Sequence, residues 1–240
     1  MSFTSKHAII TGGASGIGRC IAETFLREGM AVTIIDIDNA SVDGAQFYNG
    51  DIADKAALES FVGTLEQPVD FLVNNACVGR NGLLSNCSYE DFEHVQRVGV
   101  TAPYYLTSLL LQRKLFAQNA AIVNIASTRA FQSQADTEAY SAVKGGIVAL
   151  THAMAVSLAG KARVNAISPG WIDTANNTFE GADTAQHPAG RVGKPSDIAE
   201  MVLYLCNDKA DFITGENIII DGGISKLMIY HNDHGWRLDE

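Results

Sequence analysis

The chain has 240 residues, 47% of them hydrophobic, with 17 Lys+Arg against 27 Asp+Glu and a net charge of −10. That length and apolar content suffice to bury one α/β core, so a single domain over 1–240 without linkers, repeats or low-complexity segments is expected. The acidic balance excludes nucleic acid and anionic membrane surfaces as natural partners through long-range repulsion, which leaves a small molecule as the expected ligand.

The first predicted element is a strand through Ala8, Ile9 and Ile10, followed by Thr11-Gly12-Gly13-Ala14-Ser15-Gly16-Ile17-Gly18 and a helix with apolar positions Ile17, Ile21, Ala22 and Phe25. Glycines at 12, 16 and 18 allow a tight turn, close approach of a ligand and seating of the helix on the sheet, while the helix N-terminus attracts phosphate. Glycine patterns alone are weak, but a second apolar run, Ala31 to Ile35, ends at Asp36, 18 residues after Gly18. A carboxylate at about that distance holds the adenosine ribose hydroxyls in dinucleotide folds.

From Ile37 to Gly50 the connection is short for a parallel crossover, which predicts no more than one helical turn before Asp51-Ile52. Asp54 caps a helix carrying Ala57, Leu58, Phe61, Val62 and Leu65, and Pro68 precedes a buried strand, Phe71 to Val73, that runs into Asn74-Asn75-Ala76-Cys77. Ser88 and Asp91 resemble a capping box opening one long helix through Phe92, Val95 and Leu106 toward Leu115, and Ala121 to Ile125 is the next strand. A helix from Thr137 to about Leu158 tolerates Gly145-Gly146 at roughly 1 kcal/mol per glycine, which close packing of another backbone would explain. Val164 to Ile167 forms a strand broken by Ser168-Pro169-Gly170. The 24 residues from Trp171 to Lys194, mostly polar and with little periodicity, read as a loop or lid over a substrate. Pro195-Ser196 opens a helix through Ile198, Met201, Val202 and Leu205, and Ile218 to Ile220 is the last strand. The alternation predicts a doubly wound parallel sheet with helices on both faces and the ligand at the strand carboxyl ends.

Tyr140 and Lys144, four apart on one helix face, form the expected reacting group. A nearby ammonium favours the phenolate, which fits the phenol for proton exchange with an alcohol or carbonyl near neutral pH. Ser127, just beyond the strand Ala121 to Ile125, is expected to project toward the same crevice and hydrogen-bond the substrate oxygen.

With T-G-x-x-x-G-x-G at 11–18, Asn74-Asn75-Ala76, Ser127, Tyr140-x-x-x-Lys144 and Ser168-Pro169-Gly170 in order, the chain resembles the short-chain dehydrogenase/reductase family from about residue 6 to Tyr230. The resemblance implies a seven-stranded Rossmann sheet, a nicotinamide cofactor and hydride exchange with a secondary alcohol or ketone; Asp36, which would repel a 2′-phosphate with no cation at Ser15 or Ile37 to hold one, makes NAD the expected cofactor. It further implies Tyr140 as acid/base, Lys144 as its partner and a ribose ligand, and Ser127 as the substrate-oxygen donor. Cofactor contacts are expected from Gly12, Ser15, Gly16, Ile17, Gly18, Asp36, Asp51, Ile52, Asn74, Ala76, Tyr140, Lys144, Pro169, Gly170 and Ile172. A homotetramer or homodimer is also implied.

Two positions depart from the family pattern. Cys77 stands where glycine is usual and is read as packing rather than as crowding the cofactor. Gly99 stands where the family usually has a catalytic asparagine. In the family that residue's backbone carbonyl is thought to hold a water leading to the catalytic lysine. Glycine keeps the carbonyl, so an active enzyme is expected, with an NAD(H)-binding sensor of little turnover as the alternative.

His231 and His234 sit in a polar tail, 231–240, without further ligand spacing, so no metal is expected. His94 and His152 are read as packing or surface residues, and Trp171 as a pocket wall or a lid-packing residue in equal measure. Cys20, Cys77, Cys87 and Cys206 form no C-x-x-C pair and are expected to be reduced thiols. The first strand near His7 leaves no room for a signal peptide and no apolar run reaches membrane-spanning length, which makes the cytoplasm the expected location.

Overall fold

Strand β1 (His7–Thr11) is buried at every position, the pattern of a parallel strand covered on both faces. It is hydrogen-bonded in parallel to β2 (Ala31–Asp36) on one side and β4 (Val69–Asn74) on the other. β3 (Gln46–Asn49) lies beyond β2, while β5 (Phe116–Ile125), β6 (Ala162–Pro169) and β7 (Asn217–Ile220) follow β4. The sheet is therefore seven-stranded and wholly parallel, in the order β3-β2-β1-β4-β5-β6-β7. The computed structural model describes residues 3–39 and 41–233, so His234 and most of the polar tail lie outside the described residues.

Side chains alternate across each strand, and each face of the sheet has its own apolar layer. Ile10, Val73 and Val123 pack with Phe25 of α1 (Gly16–Arg27) and with Ile198 and Val202 of α7 (Pro195–Cys206). Ile9, Leu72 and Ile122 pack on the opposite face with Leu58 and Phe61 of α2 (Lys55–Gly63), Leu106 of α4 (Ala102–Gln112) and Met154 of α5 (Glu138–Ser157). Strand order reverses between β1 and β4, and in such sheets the crevice outside the carboxyl ends at the reversal is where ligands bind.

The structure departs from the sequence reading in four places. First, β3 is a strand where only a connection was expected. Its Gln-Phe-Tyr-Asn run is half exposed on the sheet edge and too short to show a period. Only residues 37–45 separate it from β2, and no helix is found among the described ones. Buried Val42 and the Ala45 N–H bond to its carbonyl turn the chain back instead. Second, β5 begins at Phe116, five residues before the apolar run, because Phe116 pairs with Val69 across a register irregularity.

Third, the long helix from Ser88 is interrupted. α3 (Tyr89–Gln96) passes into one turn of π-helix, Arg97–Thr101, before α4 resumes and ends at Gln112. Ser88 does cap α3, its Oγ accepting the Asp91 N–H at 3.0 Å. Gly99 sits at the centre of the π-helical turn, the kind of bulge that often marks functional sites. Fourth, the close backbone packing expected at Gly145-Gly146 is absent. A Cβ on Gly146 would meet the Val100 side chain at 2.9 Å, whereas one on Gly145 would meet nothing within 4 Å.

Candidate active site

Gly12 and Gly16 both have positive φ, +67° and +55°, which suits glycine and turns the chain from β1 into α1. A Cβ on Gly12 would fall 2.7 Å from the Ala76 Cα, so the β1 turn and the β4 end touch backbone to backbone. Asn75 holds them together: its Nδ2 donates to the Thr11 and Gly12 carbonyls at 3.2 and 2.8 Å, and Thr11 Oγ1 accepts from the N–H groups of Asn75 and Ala76. Ser15 occupies the N-cap of α1, yet its side chain makes no capping bond. The first-turn N–H groups of α1 thus have no acceptor within the helix, the arrangement that binds anions.

Asp36 ends β2 beside this turn. Its Oδ2 accepts the Ala14 N–H at 2.9 Å and its Oδ1 the Asp38 N–H at 3.1 Å, which fixes the carboxylate at the mouth of the cleft. The cleft has a volume of about 560 Å³ and runs along the carboxyl ends of the strands. Of the sequence-derived residues, Gly12, Ser15, Gly16, Ile17, Asp36, Asp51, Ile52, Ala76, Ser127, Tyr140, Lys144, Pro169, Gly170 and Ile172 line it.

Gly18 and Asn74 are not among the lining residues. A Cβ on Gly18 would fall 2.1 Å from the Gly12 carbonyl oxygen, so this glycine lets the helix approach the turn. Asn74 points into the sheet–helix layer, where its Nδ2 donates to Asn124 Oδ1 at 2.8 Å. Asn124 Nδ2 in turn donates to Thr151 Oγ1 on α5.

At the other end of the cleft, Ser127 follows β5 with its Oγ accepting the Arg129 N–H at 3.2 Å. Lys144 is only 2% exposed, and its Nζ donates to the Ile125 carbonyl at 2.8 Å while lying 5.4 Å from the centre of the Tyr140 ring. Burying an ammonium is costly unless it is bonded, and the end of β5 supplies that bond. Gly170 closes this end: a Cβ there would lie 2.6 Å from Asp221 Cβ, so only glycine lets β6 run this close to the turn after β7.

Two further loops are fixed by side-chain and backbone bonds. Asp136, at φ +65°, accepts from the N–H groups of Gly82, Leu84 and Ser85 and from the Ser85 hydroxyl, and Glu138 accepts from Leu83 N–H. These bonds hold the Asp136 carboxyl below the usual carboxylate range, with the Ser85 hydroxyl as the largest cause. They tie the loop after β4 to the start of α5, close in sequence to Tyr140. The stretch 171–194 is pinned at its ends by the Ile172–Gly193 bridge and by Arg191, whose two terminal nitrogens meet Asp197 at 2.7 Å each. Between them lies only a short helix, α6 (Ala182–Ala185). Trp171 packs edge-on against Phe179 and lies 6.0 Å from the His187 ring.

The sequence reading missed several residues that line the cleft, notably Asp38, His94, Val98 and Thr174. His94 comes from α3, far along the chain from Asp51 and Ile52, and no local pattern announces that meeting. Cys77 lines the cleft and also packs against the buried trio Val95, Ala139 and Val143. All four cysteines are free thiols. Among the described residues no group of three His, Cys, Asp or Glu is placed to hold a metal, and no helix is long and apolar enough to cross a membrane.

Residues 12–225 match a family profile described as enoyl-(acyl carrier protein) reductase. An uncharacterized oxidoreductase of Thermotoga maritima is 43% identical, the match covering 94% of this chain and 98% of the relative. The structure superposes on an apo SCOR enzyme from Clostridium thermocellum with a TM-score of 0.90 at 47% identity, covering 98% of this chain and 99% of the other. It also superposes on 4-hydroxyisoleucine dehydrogenase complexed with NADH, with a TM-score of 0.84 at 29% identity, over 93% and 100% of the two chains. With a seven-stranded parallel sheet, a glycine turn at its switch point and relatives that match over nearly their whole length, the chain belongs to the short-chain dehydrogenase/reductase family of nicotinamide-dependent oxidoreductases.

Proposed function

We propose that the protein is an NAD(H)-dependent dehydrogenase or reductase that interconverts a small-molecule secondary alcohol and its ketone. The observation that carries this reading is the opening of Ser127, Tyr140 and Lys144 into the same cleft as Asp36 and the glycine turn. The cleft suits a dinucleotide: carboxylate at one end, open helix N–H groups in the middle and a close Pro169-Gly170 wall near the reacting residues. A bound nicotinamide supplies the hydride acceptor or donor.

In alcohol oxidation, Ser127 and Tyr140 hold the hydroxyl oxygen and the Tyr140 oxygen takes its proton as the C–H bond gives up its hydride. In the reverse direction Tyr140 returns the proton to the carbonyl oxygen. The Lys144 ammonium balances the negative charge left on the phenol oxygen, and its bond to the Ile125 carbonyl keeps it there. Asp36 selects NAD(H): its carboxylate accepts from ribose hydroxyls and repels a 2′-phosphate, and neither Ile37 nor Asp38 beside it supplies a cation. The 4-hydroxyisoleucine dehydrogenase relative, complexed with NADH, supports that preference.

The enzyme is a homo-oligomer in this reading, a tetramer or dimer. Gly145 on α5 faces open space, and Val156 on the same helix and Tyr104 on α4 are exposed apolar side chains, a face suited to a second copy. Sedimentation giving a 25.6 kDa monomer at micromolar concentration would refute this part. For the activity, NAD⁺ or NADH is mixed with panels of secondary alcohols and ketones while nicotinamide absorbance is followed. Turnover is expected. Tight binding with no turnover across broad panels would overturn the assignment in favour of an NAD(H)-binding sensor.

A further inference from the structure

We infer that Val143 and Val100 are positioning residues, which hold the catalytic helix to the π-helical turn by two reciprocal knob-and-hole contacts. The inference rests on the dehydrogenase reading above for its kinetic consequences. Val143 lies between Tyr140 and Lys144 in sequence and is fully buried. Its Cγ2 fills the place that a side chain on Gly99 would need: a Cβ there would fall 2.3 Å from it. In the opposite direction, Val100 projects from the π turn at α5, where a Cβ on Gly146 would fall 2.9 Å from its Cγ2. Each element thus offers one valine and one glycine, and each valine enters the dimple left by the other element's glycine.

The contact has a chemical consequence because of what flanks it. Lys144 follows Val143 directly, and its Nζ reaches the Ile125 carbonyl at 2.8 Å and lies 5.4 Å from the centre of the Tyr140 ring. A shift of α5 along or away from the π turn moves both reacting groups relative to the end of β5 and Ser127. β-Branched valine has a restricted χ1, so a knob of this type fixes position where a flexible side chain would slide. Gln96, just before the π turn, adds a polar tie by donating to the Ala139 carbonyl at 3.1 Å. Close-packed surfaces of this kind transmit a displacement instead of absorbing it.

The interlock explains why glycine at 99 does not call for restoration. Any side chain there collides with Val143 first. Gly99→Ala is therefore expected to lower kcat at least tenfold with the Kd for NADH within threefold of wild type, and to shift the pH dependence of turnover. Val143→Ala beside it removes the colliding methyl, and the double variant is expected to recover to within threefold of Val143→Ala alone. Gly146→Ala with Val100→Ala repeats the cycle at the second contact, and decides the matter if Gly99→Ala does not fold. Wild-type kcat in both glycine variants would overturn the inference. So would a double variant no better than its glycine parent, or a fall in Tm with kcat per folded enzyme and pH profile unchanged. Ultraviolet difference titration of the Tyr140 phenol, referenced to Tyr140→Phe, reads the same displacement without substrate. A wild type with no turnover on any panel would reject the dehydrogenase reading alone and leave this titration to decide the interlock.

Discussion

Asp36 offers the most direct test of cofactor choice, and the structure dictates which substitution to use. Serine at this position would strand the N–H groups of Ala14 and Asp38, which the carboxylate now holds at 2.9 and 3.1 Å, and would mix loss of the turn with loss of the charge. Asp36→Asn keeps the side chain's shape and one of its two acceptors, so it removes the charge and strands one N–H where serine would strand both. Hydrogen bonds to a charged acceptor contribute about 1.5–3 kcal/mol, and unit charges 4 Å apart repel by about 1 kcal/mol in water and about 4 kcal/mol at the effective dielectric of a protein surface. The mouth of the cleft is open, so the lower ends apply. NADH binding is expected to weaken about tenfold and NADPH binding to tighten about fivefold, a swing in preference of roughly 50-fold at 1.4 kcal/mol per decade. Adding Ile37→Arg supplies a cation for the 2′-phosphate and is expected to carry the preference further toward NADPH. Titration of both reduced cofactors by nicotinamide fluorescence, at one ionic strength, gives the four constants. A wild type that binds NADPH as tightly as NADH, or an Asp36→Asn variant with its preference unchanged, would refute the argument.

For the chemistry, Tyr140→Phe is expected to abolish turnover and spare NADH binding, Lys144→Ala to impair both, and Ser127→Ala to raise the barrier by about 2.7–4 kcal/mol, as a lost oxyanion donor does. Steady-state rates alongside cofactor binding check all three, and near wild-type rates in Tyr140→Phe would remove it from its role. The depressed Asp136 carboxyl makes the tie between the 82–85 loop and α5 acid-labile. A group whose folded pKa is depressed contributes stability above its unfolded value, and the contribution is lost as the pH falls through the folded value. Hydrogen exchange in the 82–85 amides is therefore expected to be slow at neutral pH and to lose protection below the ordinary carboxylate range, and Asp136→Asn to weaken that protection already at pH 7. If the stretch from 171 to 194, held at its ends, acts as a lid, it gains protection between Thr174 and Gln186 when NADH and substrate bind. Equal exchange with and without ligand would count against its closing.

The elements legible in the sequence were those whose signal is local. β1 and β2 announce themselves by short, mostly apolar runs, α3 by Ser88 and Asp91, and α7 by Pro195, because each pattern is complete within a few residues. β3 was not legible, since a half-exposed edge strand of four residues has neither a full apolar run nor a sustained alternation. The π turn was hidden for another reason. Its Gly99 packs against Val143, 44 residues away, and helix propensity from Ser88 onward gives no sign of that meeting. At the site, the glycine turn and Asp36 could be found from spacing within one βα unit. His94 and Thr174 reach the cleft only through tertiary packing, so their side chains carry no sequence signature of that position.

The buried amide chain from Asn74 to Asn124 to Thr151 bears on how the sheet finds its alignment. Asn74 and Asn124 are register partners on β4 and β5, and both are almost wholly buried. The neighbouring positions on both strands are mostly aliphatic, and aliphatic pairs alone would tolerate sliding by two residues with little loss. Sliding by two here would set each amide against a hydrocarbon neighbour and break the bond from Asn74 Nδ2 to Asn124 Oδ1, at about 1–3 kcal/mol for each group newly stranded. The amides therefore act as an alignment key, penalising misfolded pairings more than they stabilise the correct one. Ala76 lies two residues beyond one half of the key and Ser127 three beyond the other, so the event that aligns β4 with β5 also brings these two cleft-lining residues to a common edge.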